Sequence, residues 1–188
     1  MFHNRTSIIN MALMRCGATG VTAGFQGTSA AKTAEGAYDR VLASCLGLHA
    51  WSFALRRVLL AQAAEAPDGL HRYAYALPAD CLRVVDAHTD GERVAAWEVL
   101  GGKLLCDAAP LNLIYVHAGV PAYPDAFADV VAWRLAFEIS SYMEQGGQAQ
   151  AYLEMYERAL DKARTENDLG NRPARVVVSP FLQERRVD

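Results

Sequence analysis

The 188-residue sequence has only four cysteines, Cys16, Cys45, Cys81 and Cys106, and no Cys-x-x-Cys pair. Each sits in an apolar pattern, where a free thiol behaves as a small hydrophobe. Four reduced core thiols point to a reducing cytoplasm as the place of folding. A basic excess is also lacking: 18 Lys and Arg stand against 21 Asp and Glu, for a net charge of −3. That balance disfavours a module that grips nucleic-acid phosphates. It suits a protein that binds proteins, or one that DNA slides past. No apolar run approaches the ~18 residues of a membrane span. Asn10 and Arg15 interrupt the N-terminal stretch, so it does not read as a signal peptide.

Catalytic signatures are missing as well. There is no Gly-x-Gly-x-x-Gly after a strand, no Walker loop and no Gly-x-Ser-x-Gly elbow. His3, His49, His71, His88 and His117 are scattered, none beside a second His or Cys at ligand spacing. Asp86, His88 and Asp90 surround one turn, which reads as solvated before it reads as a weak cation site. Tyr38-Asp39-Arg40 and the Asp80–Arg83 pair read as structural ion pairing. No catalytic, cofactor-binding or metal-binding residue is expected, and the chain is not expected to be an enzyme.

What is present is a core-forming composition, 52% hydrophobic and 21% charged. Four helical stretches frame a strand-rich middle, which predicts an α+β fold: a four-helix bundle, an inserted antiparallel β domain and an extended C-terminal arm. The expected divisions are 1–55 for the first two helices, 56–120 for the β insert, 121–170 for the last two helices and 171–188 for the arm. Helix one is expected from Thr6 or Ser7, either of which can cap it, to Gly17. Helix two follows Thr28 or Ser29, with Tyr38, Val41, Leu42 and Cys45 at helical spacing. His49-Ala50-Trp51-Ser52-Phe53 then reads as an aromatic core plug. Arg57 to Ala61, His71 to Leu77, Cys81 to Ala87, Trp97 to Val99, Lys103 to Cys106 and Leu111 to Val116 read as strands of one small sheet. Turns are expected at 66–69, Asp90-Gly91 and Gly101-Gly102.

The third helix is expected to start at Pro124 and run to about Gln145. Its apolar residues, among them Val131, Trp133, Phe137 and Tyr142, do not share one face. Such a helix is buried on several sides, one of them facing either the sheet or a neighbouring subunit. Trp133, Phe137, Trp51 and Phe53 are therefore candidates for core or subunit interface. Gly146-Gly147 should break the chain before a fourth helix from about Gln148 to Asn167, with Tyr152, Met155, Tyr156, Ala159, Leu160 and Ala163 on its apolar face. The stretch after Ala174 carries Val176, Val177, Val178, Phe181, Arg185 and Arg186. Against a plainly disordered tail, three valines and a Phe argue for an arm that adds a strand or anchors a ring on another protein.

Several blocks resemble the tail tubular protein A family of short-tailed phages and related adaptors of prophages and gene transfer agents. They are Ile8-Ile9-Asn10-Met11-Ala12-Leu13 with Gly17, Tyr38-Asp39, His49-Ala50-Trp51-Ser52-Phe53-Ala54-Leu55-Arg56, Tyr73 to Val84 with its Leu77-Pro78-Ala79-Asp80-Cys81 core, and Tyr115 followed by Pro124-Asp125-Ala126-Phe127-Ala128-Asp129. Together they span the first to the fourth helix. The family often has Pro where this chain has Ala50. The resemblance implies a structural head-to-tail adaptor of a virion, assembled in the bacterial cytoplasm. Subunits would form a ring, commonly a dodecamer, beneath the portal protein. The ring would meet a downstream tail or nozzle protein, with DNA passing through the lumen without specific binding. No membrane partner and no cofactor are implied. The arm residues Val176 to Arg186 would dock on the portal. The alternative is a small ligand-binding or enzymatic α+β domain, its pocket between bundle and sheet and lined by Trp51, Tyr73 and Tyr115.

Overall fold

The computed structural model describes residues 1–18, 20, 28–64, 71–140 and 148–170. The expected turn at 66–69, the Gly146-Gly147 break and the arm at 171–188 lie outside the described residues. The fold is α+β, and its four helices form a bundle in which one helix is central.

Helix α1 spans Arg5–Arg15 and α2 spans Ser29–Gly47. The cap of α1 is neither Thr6 nor Ser7 but Asn4, whose side chain accepts from the Ser7 amide at 2.9 Å. All three are capping residues, and Asn4 takes the role because its own backbone is extended there. Gly17, at φ +67°, closes the helix, and the Ala18 amide donates to the Leu13 carbonyl at 2.9 Å. This left-handed closure is the one a glycine permits. Thr28 caps α2 through the Ala31 amide.

Helix α3 spans Asp125–Ser140, and α4 spans Ala149–Gly170, three residues beyond the expected end. Phe127, Val130, Val131, Leu135 and Ile139 of α3 are all buried. They meet α1, α2 and α4, which pack round α3 on different sides. These five residues are thus covered inside one chain, whereas Trp133 and Phe137 are only partly buried. On α4, Met155 turns outward at 37% exposure, whereas Tyr152, Ala159, Leu160 and Ala163 are buried.

Pro124 is not the first residue of α3. It lies in a two-residue strand, β9 (Tyr123–Pro124), which pairs antiparallel with β1 (Phe2–His3). Pairs this short carry no periodicity to read. They pin the start of the chain to the start of α3, where His3 also meets Asp125 at 2.7 Å.

The β insert contains two sheets rather than one. Strands β2 (Leu55–Leu60), β8 (Leu111–His117), β4 (Cys81–Thr89) and β5 (Glu92–Arg93) form a four-stranded antiparallel sheet in that order. Strands β3 (Tyr73–Ala76), β7 (Lys103–Cys106) and β6 (Trp97–Leu100) form a three-stranded one. Leu60, Ala87, Leu111, Leu113 and Tyr115 of the first sheet meet Tyr75, Leu104 and Cys106 of the second in a separate apolar core. The bridge between Gln62 and Tyr75 ties the two sheets together. Asp90-Gly91 and Gly101-Gly102 make the hairpin turns, all four residues at positive φ, the conformation that suits the twist of a two-residue hairpin.

Tyr38 of α2 is 3% exposed, under the Arg5 guanidinium at 4.6 Å from its ring centre. Its hydroxyl is buried with no hydrogen-bond partner among the described residues, and burial pushes its pKa up. Removing an unsatisfied buried hydroxyl relieves a desolvation cost of ~1 kcal/mol or more. Tyr38→Phe should therefore leave the urea unfolding free energy unchanged or raise it by up to ~1 kcal/mol. A clear loss in that measurement would show that the hydroxyl is satisfied in solution.

Candidate functional site

Beyond the end of α2 the chain turns through Trp51 into a 3-10 turn at Ser52–Ala54 and then enters β2. Trp51 is 1% exposed and donates its indole N–H to the Cys45 carbonyl at 3.0 Å. Its ring lies edge-on to Phe127 at 5.0 Å and to His49 at 4.9 Å, and stacked with Phe53 at 6.0 Å. Phe53 in turn meets Tyr123. The aromatic plug thus holds the exit of α2 against the entry of α3.

The end of α4 clasps the same segment. The Asn167 side-chain oxygen accepts from the Ser52 amide at 2.9 Å and from its hydroxyl at 3.0 Å. His49 Nε2 lies 2.8 Å from Asp168, and this hydrogen bond holds the Asp168 carboxyl below its usual range. Between these parts opens a cavity of about 390 Å³. The Phe2, Trp51, Phe53 and Phe127 rings form much of its wall, and Ser52, Glu166 and Asn167 supply its polar groups. Neither Tyr73 nor Tyr115 lines it. Both belong to the core of the β lobe, so this cavity is not the pocket expected from Trp51, Tyr73 and Tyr115. Phe2, Glu166 and Asn167 are among the lining residues that sequence reasoning missed. Each arrives from a distant segment, and no local signal marks it.

A polar cluster ties strands of the β lobe together, with one further bond to the bundle. Asp80 pairs with Arg56 at 2.8 Å rather than with Arg83, and accepts from the Tyr115 hydroxyl at 3.1 Å. Burial and the adjacent Asp80 push the Tyr115 pKa up. Arg83 instead reaches the Gly47 carbonyl at the end of α2, at 3.5 Å. These bonds run between β2, β4, β8 and α2, so the cluster positions elements rather than presenting a nucleophile with its base.

His117, at the end of β8, is 6% exposed, and its Nδ1 accepts from the Gly119 amide at 3.1 Å. Burial, then the Arg56 charge, lowers its pKa. The unfolded chain therefore binds a proton on this residue before the folded chain does, so this contribution to stability is present above pH ~6.5 and is lost as pH falls towards the depressed folded value. His117→Asn keeps an acceptor without the titration. Urea unfolding at pH 7 and pH 5.5 should show a smaller acid loss in the variant than in the wild type. Equal losses would remove His117 as a cause.

The remaining expected site residues fall elsewhere. Trp133 is partly buried beneath the Arg15 guanidinium at 4.0 Å, and Arg15 also pairs with Asp129. Phe137 is partly buried beside Arg134 at 5.0 Å. Asp39 and Arg40 separate, to Arg5 and Glu138 respectively. At the suspected cation turn, Asp86 is occupied by Arg93 at 2.9 Å and His88 at 3.3 Å, and these partners hold its carboxyl low although burial opposes them. The arm residues Val176, Val177, Val178, Phe181, Arg185 and Arg186 lie outside the described residues. Among the described residues, no group of three His, Cys, Asp or Glu side chains could hold a metal ion, and no helix is long and apolar enough to cross a membrane. The chain matches no protein-family model and no curated protein.

Proposed function

We propose that this chain is a structural head-to-tail adaptor of a tailed phage or phage-like particle, acting by assembly and not by catalysis. In this reading subunits form a ring, a dodecamer set by the portal, that joins capsid to tail and lets DNA pass. The observation that carries the reading is where the two most specific resemblance blocks fall. The block ending in Arg56 and the block containing Asp80 meet inside the β lobe in the Arg56–Asp80–Tyr115 cluster, and Arg83 of the second block reaches the Gly47 carbonyl at the end of α2. Residues of both blocks are thus spent on structural pairing, which suits an assembly component better than an enzyme. Ring contacts need apolar surface beyond the chain's own core. Leu59 and Leu100, on the edge strands β2 and β6, are 62% and 66% exposed and supply apolar surface for them.

The test is the mass of the purified chain in solution, alone and with the portal protein of the same particle. A stoichiometric ring complex with portal is the expected result. A monomer indifferent to portal would overturn the reading. The second reading, a ligand-binding domain, is favoured by one observation, the aromatic-walled cavity at the bundle end. It requires melting temperatures that rise with a small apolar ligand.

A further inference from the structure

The cavity at the bundle end borders the final turns of α4, which contribute Ala163, Glu166 and Asn167 to its lining. Helix α4 ends at Gly170, so the chain from 171 onward departs close to the cavity. That stretch contains Val176-Val177-Val178, then Pro180-Phe181-Leu182. Its charge is opposite to that of the rest. Arg172, Arg175, Arg185 and Arg186 outnumber Glu184 and Asp188, while the first 170 residues hold the other 14 basic and 19 acidic side chains. The shallow pocket next to the cavity is bordered by three carboxylates, Asp125, Asp129 and Glu166, against one ammonium, Lys162.

We propose that the segment Val176–Phe181 docks in this cavity of its own chain, with Phe181 against the Phe2 and Phe53 rings and the flanking arginines near the acidic rim. Three properties select this occupant. The segment is apolar where the cavity is aromatic, and basic where the rim is acidic. It is also tethered close by. From Gly170, the end of α4, to Phe181 the chain can reach ~36–40 Å when extended, ample to double back along the last turns of α4. A short tether presents the segment at an effective concentration of about a millimolar, which a free ligand or a second copy must exceed. The contact is a property of the isolated chain and does not depend on the adaptor reading.

The test compares the full-length chain with its full-length Phe181→Ser variant, a change outside the described residues. Amide resonances of Ser52, Phe53 and Ala163 should differ between the two, equally at low and high protein concentration. A synthetic peptide of residues 174–188 should bind the variant about tenfold more tightly than the wild type, because the tethered competitor is weakened. Superimposable resonances, or equal peptide affinities, would overturn the proposal. Shifts that grow with protein concentration would overturn it in favour of docking between copies.

Discussion

Trp51→Ala is expected to lower the unfolding free energy by about 3–5 kcal/mol, a large part of the whole stability of a domain this size. The indole is fully buried, and it touches rings from the exit of α2 and from α3. Its loss opens a void that this aromatic cluster cannot close, since Phe127 is held by α3 and His49 by its hydrogen bond to Asp168. Truncation also leaves the Cys45 carbonyl without its indole donor. Trp51→Phe separates the two causes. It keeps most of the ring and loses the donor, so it should cost nearer 1–3 kcal/mol. Urea titration followed by far-ultraviolet circular dichroism measures both. A cost below ~1 kcal/mol for the alanine variant would mean that the plug is peripheral.

The second large effect is expected at Leu135, which has no exposed surface and sits at the centre of α3. Leu135→Ala should cost about 2–5 kcal/mol, a transfer term plus a cavity term. More telling than the magnitude is its dependence on protein concentration. Since α1, α2 and α4 surround α3, the unfolding midpoint of the wild type and of the variant should not move with concentration. A midpoint that rises with concentration would show that folding is coupled to association, and would return α3 to the subunit interface.

That contrast marks where reading the sequence reached its limit. Helical spacing located α1, α2 and α4 because each has one apolar stripe, and one stripe implies one covering layer. The α3 pattern has no such stripe. A sequence cannot distinguish a helix surrounded by its own chain from one shared with a neighbour, because both require the same residues. The hairpin turns at Asp90-Gly91 and Gly101-Gly102 were legible because their backbone needs positive φ. Which strands pair across longer distances was not. Nothing local assigns β2 to β8, or β3 to β7, so two sheets were read as one. The candidate site divides the same way. Trp51 and Phe53 stand out in sequence as neighbouring large aromatics, whereas Phe2 and Asn167 join them only through the β1–β9 pair and the length of α4.

The order of the elements along the chain has a consequence for synthesis. Helices α1 and α2 are complete when residue 47 is made, but their main partner α3 is finished only at residue 140, about ninety residues later. At ~5–20 residues per second, the apolar faces of the first two helices wait about 5–20 s on the ribosome without their cover. During that interval Ile8, Leu13, Val41 and Leu46 are open to any hydrophobic surface nearby, including the nascent chains of neighbouring ribosomes. Yield from rapid overexpression should therefore respond to slower translation or added chaperone more than the stability of the finished fold would suggest.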